Sequence, residues 1–224
     1  MRDQQKRSTR GPVELWQTTP VSRLFGTDRG NPIDRYYIEK FLNDHSADIR
    51  GSVLEVGDDT YTRRFGAGRV LQSEVLHAVA GNPKSTLVAD LATADSIPAE
   101  RYDCVILTQT LQFIYDVPAA LRHVRRILRP TGVLLATCAG ISQISRYDMD
   151  RWGDYWRFTS LSLQKLLEKP FGGNCEIQSY GNVLAATAFL HGLACDELTR
   201  QELDHVDPDY ELLLAVRAVA GKSA

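Results

Sequence analysis

The chain has 224 residues, 43% of them apolar and 24% charged, which suits one soluble domain with a full core. Its 26 Lys and Arg against 28 Asp and Glu leave a formal charge of -2. That balance removes a broad electrostatic case for nucleic acid or an anionic membrane as the main partner.

No apolar run approaches the ~20 residues of a membrane span. The polar, basic start Met1–Arg10 lacks the apolar segment of a secretory signal. The expectation is a cytoplasmic protein with a flexible leader and loop-rich lead-in over 1–31. A single domain follows over 32–224, interrupted by an aromatic insertion at about 141–160. The four cysteines, Cys104, Cys138, Cys175 and Cys195, are scattered without a CxxC pair, so they read as reduced core residues, neither a disulfide frame nor a zinc site.

Pro32 opens a helix whose Ile33, Tyr36, Tyr37, Phe41 and Leu42 form an apolar and aromatic stripe. Strands are then expected at 52–56, 70–73 and 86–89, the third ending at Asp90. A fourth, at 103–108, is apolar throughout and suits burial on both faces of a parallel sheet. Pro118 starts a helix with Leu121, Val124, Ile127 and Leu128 on one face. Its Arg122, Arg125, Arg126 and Arg129 read as a solvated face in preference to a nucleic-acid patch. Pro130-Thr131-Gly132 breaks that helix before a strand at 133–137. After the insertion come a helix at 161–168, a strand at 176–179, a helix at 183–198 and a last strand at 212–218. Alternation of this kind predicts an α/β, doubly wound, mostly parallel sheet, with ligands outside the carboxyl ends of its strands.

Polar residues cluster at those predicted ends. Val53-Leu54-Glu55-Val56-Gly57-Asp58-Asp59-Thr60-Tyr61 is an apolar run closing on an acid and a glycine, and Gly57 lets backbone approach a ligand. Glu74, with Val75, follows the expected second strand, where a carboxylate can accept from both ribose hydroxyls. Asp90-Leu91 ends the third and can accept from an adenine amine; Gln109-Thr110-Leu111 ends the fourth and can close over the ligand. Singly, Glu74 and Asp90 also suit helix caps or turns. Together they describe an adenosine site. Asp58-Asp59 fills the first turn with negative charge, which disfavours phosphate and a nicotinamide dinucleotide and favours a cationic adenosine ligand such as S-adenosylmethionine.

These residues, with Ala89-Asp90-Leu91, Tyr102-Asp103-Cys104-Val105-Ile106-Leu107 and Arg129-Pro130-Thr131-Gly132-Val133-Leu134, resemble the class I S-adenosylmethionine-dependent methyltransferases of the small-molecule type. Asp154-Tyr155-Trp156-Arg157-Phe158-Thr159 looks like a segment found in members acting on glycans and natural products. The resemblance implies a seven-stranded Rossmann-like sheet whose last strand is antiparallel. The chain departs from the family where Asp59 and Tyr61 replace glycines of the first loop, and where Thr131 replaces a glycine of the Pro-Gly-Gly turn.

For the acceptor, Arg29, Asp34, Arg35, Tyr36 and Tyr37 are placed to form an N-terminal lid. Arg146, Tyr147, Asp148, Trp152, Tyr155, Trp156 and Arg157 suit a ring-bearing or sugar-like substrate, or else anchor the insertion on the core. Arg35, Tyr36, Tyr147, Trp152, Trp156 and Arg157 are the candidate substrate residues. Tyr155 and His191 are candidates for the catalytic role, with His191 also readable as a satisfied core histidine. No grouping has metal-ligand spacing. The expected function is methyl transfer to an O or N atom of a small molecule, with a homodimer as an allowed assembly. The alternatives are a protein of the same fold that binds the cofactor without transfer, and an NAD-dependent oxidoreductase.

Overall fold

Seven strands form one sheet in the order β3-β2-β1-β4-β5-β7-β6. The computed structural model describes residues 17–221, and the leader expected at the start of the chain lies largely outside them. β1 (Gly51–Val56) and β4 (Tyr102–Thr108) pair in parallel at the centre, with buried residues along almost their whole length. β2 (Val70–His77) and the two-residue β3 (Leu87–Val88) extend the parallel sheet on one side. On the other, β5 (Leu128–Ala139) pairs in parallel with β4 and antiparallel with β7 (Leu213–Val219), which pairs antiparallel with β6 (Cys175–Tyr180). The expected seven-stranded fold with an antiparallel last strand is the one observed.

Helices cover both faces. α1 (Ile33–Asp44) and α5 (Val183–Leu190) pack Ile33, Tyr37, Phe41, Ala185 and Phe189 against Val53, Ile106, Leu135 and Ala215. α2 (Val117–Ile127) and α4 (Ser160–Phe171) cover the opposite face with Leu121, Val124, Ile127, Leu163 and Leu167. Each such buried aliphatic side chain contributes about 1.5–3 kcal/mol. The starts of these helices are fixed locally: Asp116 caps α2 through the Ala119 amide, and Thr159 and Ser162 form a capping box on α4. Two short helices, α3 (Arg146–Met149) and α6 (Arg200–Asp204), lie in the insertion and before β7.

Three boundaries differ clearly from expectation. β2 runs to His77, four residues past the expected end, because its polar stretch Gln72-Ser73-Glu74 interrupts the apolar run without ending the ladder. β5 begins at Leu128 and passes through the Pro130-Thr131-Gly132 turn. α5 stops at Leu190, with Gly192 in the left-handed region two residues later (φ 73°). Strict alternation also fails between β1 and β3, where short helical turns at Thr62–Gly66 and Ala67–Arg69 and a plain loop replace full helices. The cationic side of α2 is partly consumed by structure, since Arg126 donates to the carbonyls of Ala94 and Ile97, and Arg125 to that of Gly221. Among the described residues no helix is long and apolar enough to cross a membrane, and no cluster of His, Cys, Asp and Glu is arranged to hold a metal.

Candidate active site

β1 ends in a turn built around one buried carboxylate. Glu55 is 1% exposed, and its oxygens accept from the amides of Tyr61 (3.2 Å) and Thr62 (2.7 Å). Burial lifts its pKa to about 7 despite those amides. The next glycine, Gly57, has φ 92°, and a Cβ there would meet nothing within 4 Å, so the backbone lies open to a ligand.

The acidity of the turn is partly spent on the protein. Asp58 accepts from the Thr60 amide and pairs with Lys84 (3.2 Å). Burial works against its ionisation, yet these partners hold its pKa below the ordinary value. Asp59 pairs with Arg63 (2.5 Å), and Asn82 donates to the Gly57 carbonyl (2.7 Å), so the loop after β2 reaches across to the end of β1. Tyr61, where the family has a glycine, stacks on Phe65.

Glu74 does not sit at a strand end. It lies inside β2, level with Leu54, and its carboxylate takes Arg101 (2.5 Å) and the Tyr102 hydroxyl (2.5 Å) at the start of β4. That is the amino-terminal side of the sheet, so the ribose role is withdrawn from Glu74 and from the buried, ladder-bound Val75. The residue at the end of β2 is His77. Its Nδ1 lies 2.7 Å from the Val79 carbonyl, and Trp152 meets its ring edge-on at 5.8 Å.

Asp90 is exposed at the end of β3, and its Oδ1 caps a short turn through the Ala92 amide. Leu91 and Leu111 are core side chains, leaving only their backbone for a ligand. Gln109, after β4, adopts φ 48°, a conformation that costs a non-glycine residue of order 1–3 kcal/mol, and its amide bonds the Thr137 carbonyl at 2.9 Å. Thr110 Oγ1 donates back to Thr108.

On the β4–β5 side of this edge lies a cleft of about 170 Å³, lined by Phe25, Asp34, Gln109, Gln112, Asp154 and Arg157 among others. This is below the roughly 300–1,000 Å³ typical of ligand pockets, so it admits one ring or one short chain. Asp34 stands in the first turn of α1, and burial raises its pKa to about 6 against the amide and charge of Arg35. Gln112 is 3% exposed; its nitrogen donates to Gln109 Oε1 (2.6 Å), while its own Oε1 is buried without a partner. An unmet buried acceptor costs about 1–3 kcal/mol.

Most of the expected acceptor residues serve other purposes. Arg157 holds Asp154 in a bidentate pair (2.6 and 2.9 Å) and donates to the carbonyls of Ser142, Gln143 and Trp156, so all five of its N–H groups are used. Its expected contact with substrate gives way to a role in bracing the insertion. Trp156 donates to the Ile114 carbonyl and stacks on Tyr115, and the Tyr155 hydroxyl bonds the Trp152 carbonyl. Tyr147 is 62% exposed with Arg151 lying over its ring, and Tyr36 bonds Asp204 on the far side of α1. Arg35 is exposed and is not part of the cleft wall.

His191 ends α5, where its carbonyl takes the amides of Val21 and Ser22; it too is outside the cleft wall, as is Tyr155, and neither is positioned as the base. The lead-in is fastened to this region, with Arg29 bonded to both oxygens of Glu197 (2.8 and 2.6 Å). Phe25, Gln112 and Asp154 were missed in the sequence. The Gln109-x-x-Gln112 spacing on a single turn and the Asp154-x-x-Arg157 pair were the available signals.

An adenosine carrying a sulfonium fits this edge. Gly57 leaves its backbone open, Asp90 is free of cations among the described residues, and the acidic Asp58-Asp59 turn is not a phosphate-binding one.

Comparison with known proteins agrees with this reading. Residues 68–136 match the methyltransferase-domain family. No protein of curated function matches the sequence. Among solved structures the chain is similar to a putative sarcosine dimethylglycine methyltransferase from Galdieria sulphuraria, at 10% identity and a TM-score of 0.57 over 85% of this chain and 87% of that one. It is also similar to a SAM-dependent methyltransferase from Archaeoglobus fulgidus (12%, TM-score 0.53, 83% and 94%) and to the [4+2]-cyclase SpnF (16%, TM-score 0.52, 83% and 81%). At such identities these likenesses speak to the fold. Taken with the domain match over residues 68–136 and the observed strand order, they give the chain the Rossmann-like fold of the S-adenosylmethionine-dependent methyltransferases and support S-adenosylmethionine as its cofactor.

Proposed function

We propose that the protein transfers a methyl group to an O or N atom of a small-molecule acceptor, a sugar-containing or natural-product scaffold. The observation that carries this reading is the cleft between Asp34 and the ends of β4 and β5, on the same sheet edge as the open backbone of Gly57 at the end of β1. The exposed rings of Tyr115, Tyr155 and Trp156 gather next to it, held through the Gln112 carbonyl, and suit the apolar face of a ring.

S-adenosylmethionine supplies an already activated methyl electrophile when bound. Glu55 shapes the turn through the amides of Tyr61 and Thr62, Gly57 admits the ligand, and Asp90 and Gln109 close on it from the neighbouring strand ends. The protein's share of the chemistry is alignment, worth roughly 7–11 kcal/mol, exclusion of water, and removal of the acceptor's proton.

The test is incubation of the protein with S-adenosylmethionine and a panel of glycosides, phenols and amines, read by mass spectrometry. A gain of ~14 Da on an alcohol or amine supports the reading. Methylation of a protein or nucleic acid alone overturns the small-molecule assignment. Tight cofactor binding with no transfer to any acceptor points to a fold repurposed for binding.

A further inference from the structure

The lining of the 170 Å³ cleft selects a chemistry for what enters it. Its one cation, Arg157, has every N–H engaged by Asp154 and three carbonyls. The Asp148 carboxylate, in the same wall, takes the Ser145 hydroxyl through Oδ2. The Asp34 carboxylate takes backbone amides, that of Arg35 (2.8 Å) and its own. Gln112 Oε1 is buried and takes nothing. The charged lining is therefore three carboxylates against one consumed guanidinium, and the neutral donors come from the Gln109 and Gln112 amides. An anion entering here meets net negative charge with no free cation. A ligand bringing its own donors meets acceptors waiting for them.

We propose that this cleft is the acceptor subsite for an uncharged or cationic alcohol or amine, in which Gln112 Oε1 receives one donor and Asp34 takes the proton of the nucleophile. The proposal rests on the methyl-transfer reading above and narrows it. In the step, the acceptor's O–H or N–H bond breaks and its proton passes to the Asp34 carboxylate. The freed lone pair forms the new bond to the methyl carbon, and the electron pair of the broken S–C bond remains on sulfur.

Asp34 has the surroundings such a base needs. It faces Arg35 on its own helix, Tyr61 after β1, Cys195 after α5, and Asp148, Asp154 and Arg157 in the insertion. With burial holding its pKa at about 6, it is ionised at neutral pH and still close enough to neutrality to accept a proton.

The test uses the full chain and four probes: methyl α-D-glucopyranoside and ethanolamine as donors, acetate and inorganic phosphate as anions. Saturation-transfer NMR without cofactor reads binding, and methyl transfer with cofactor reads chemistry. The donor probes are expected to bind and the anions not. Gln112→Leu should weaken donor binding about tenfold, and Gln112→Glu serves as the isosteric control for folding. Asp34→Asn should leave donor binding within about threefold while lowering transfer by 10²–10⁴-fold, roughly the share of a general base, and should abolish the acidic limb near pH 6. Anion binding equal to donor binding, no binding of either donor probe, or unchanged binding and transfer in both variants would each overturn the proposal. S-adenosylhomocysteine titration separates the two levels: if it binds while the donor probes do not, the cleft assignment fails alone. If it does not bind, the methyl-transfer reading fails with it.

Discussion

The Tyr102 hydroxyl donates to the Glu74 carboxylate at 2.5 Å, tying the middle of β2 to the start of β4 across the intervening strand. Arg101 completes the tie from the same side and lies over the Tyr102 ring. Burial and this bond raise the Tyr102 pKa well above its ordinary value. Glu74 is therefore a stabilising residue, remote from the cofactor edge. Glu74→Gln should cost about 1–3 kcal/mol in denaturant unfolding, the usual penalty for an impaired charge-assisted bond. Affinity for S-adenosylhomocysteine should stay within threefold, as calorimetry on the folded variant will show.

Glu55 gives the fold a pH signature. Its folded pKa of about 7 lies above the ordinary 4.5. A raised carboxylate pKa means the folded state holds a proton that the unfolded state releases. The stabilisation is complete below about pH 4.5 and is lost as pH rises through 7. Urea melts of the wild type and Glu55→Gln between pH 4 and 8 should show the wild type losing stability relative to the variant across that window. Parallel curves would contradict the assignment. Asp34 contributes a similar slope below about pH 6, so the double variant with Asp34→Asn should be flatter still.

Thr131 holds φ 66°, a left-handed conformation that a β-branched residue adopts at a cost, while its amide bonds the Ala220 carbonyl (2.9 Å). Thr131→Gly should therefore stabilise the fold by about 0.5–1 kcal/mol, net of the added entropy of the unfolded chain. A shift of the melting midpoint upward by a few degrees checks it. A fall would mean that the threonine side chain contributes more than its backbone costs.

Asp154 is 1% exposed in its side chain and bears a bidentate arginine and the Ser145 amide. Burial opposes its ionisation, yet Arg157 and that amide keep its pKa below the ordinary value. Arg157→Ala leaves the carboxylate buried without its cation, and a loss of about 3–5 kcal/mol follows when one partner of a buried pair is removed. Limited proteolysis should then cut within the insertion before the sheet unfolds.

Much of this was legible in the sequence because the central strands and the amphipathic helices are strongly patterned. β1 and β4 are apolar runs, and α2 carries its stripe beside a proline and an aspartate cap. β2 was cut short because Gln72-Ser73-Glu74 is polar where no full helix covers the sheet, and hydrophobic pattern is silent on an uncovered face. That one boundary put Glu74 at the expected strand end, where His77 stands. The insertion misled for a different reason. Its aromatic and cationic residues suit a sugar site by composition, but pairings such as Arg157 with Asp154 and Trp156 with the Ile114 carbonyl depend on tertiary proximity. Asp34 was visible as a lid residue; its role in the cleft wall was set by the approach of α1 to the ends of β4 and β5.

The central claim is a cationic adenosine cofactor at the ends of β1 and β3, and titration calorimetry on the wild type and Asp90→Ala tests it most directly. The wild type should bind S-adenosylmethionine and S-adenosylhomocysteine but not NAD, with Asp90→Ala weaker by about 1–3 kcal/mol for the lost hydrogen bond. Tight binding of NAD with none of the sulfur cofactors, or unchanged affinity in Asp90→Ala, would contradict it.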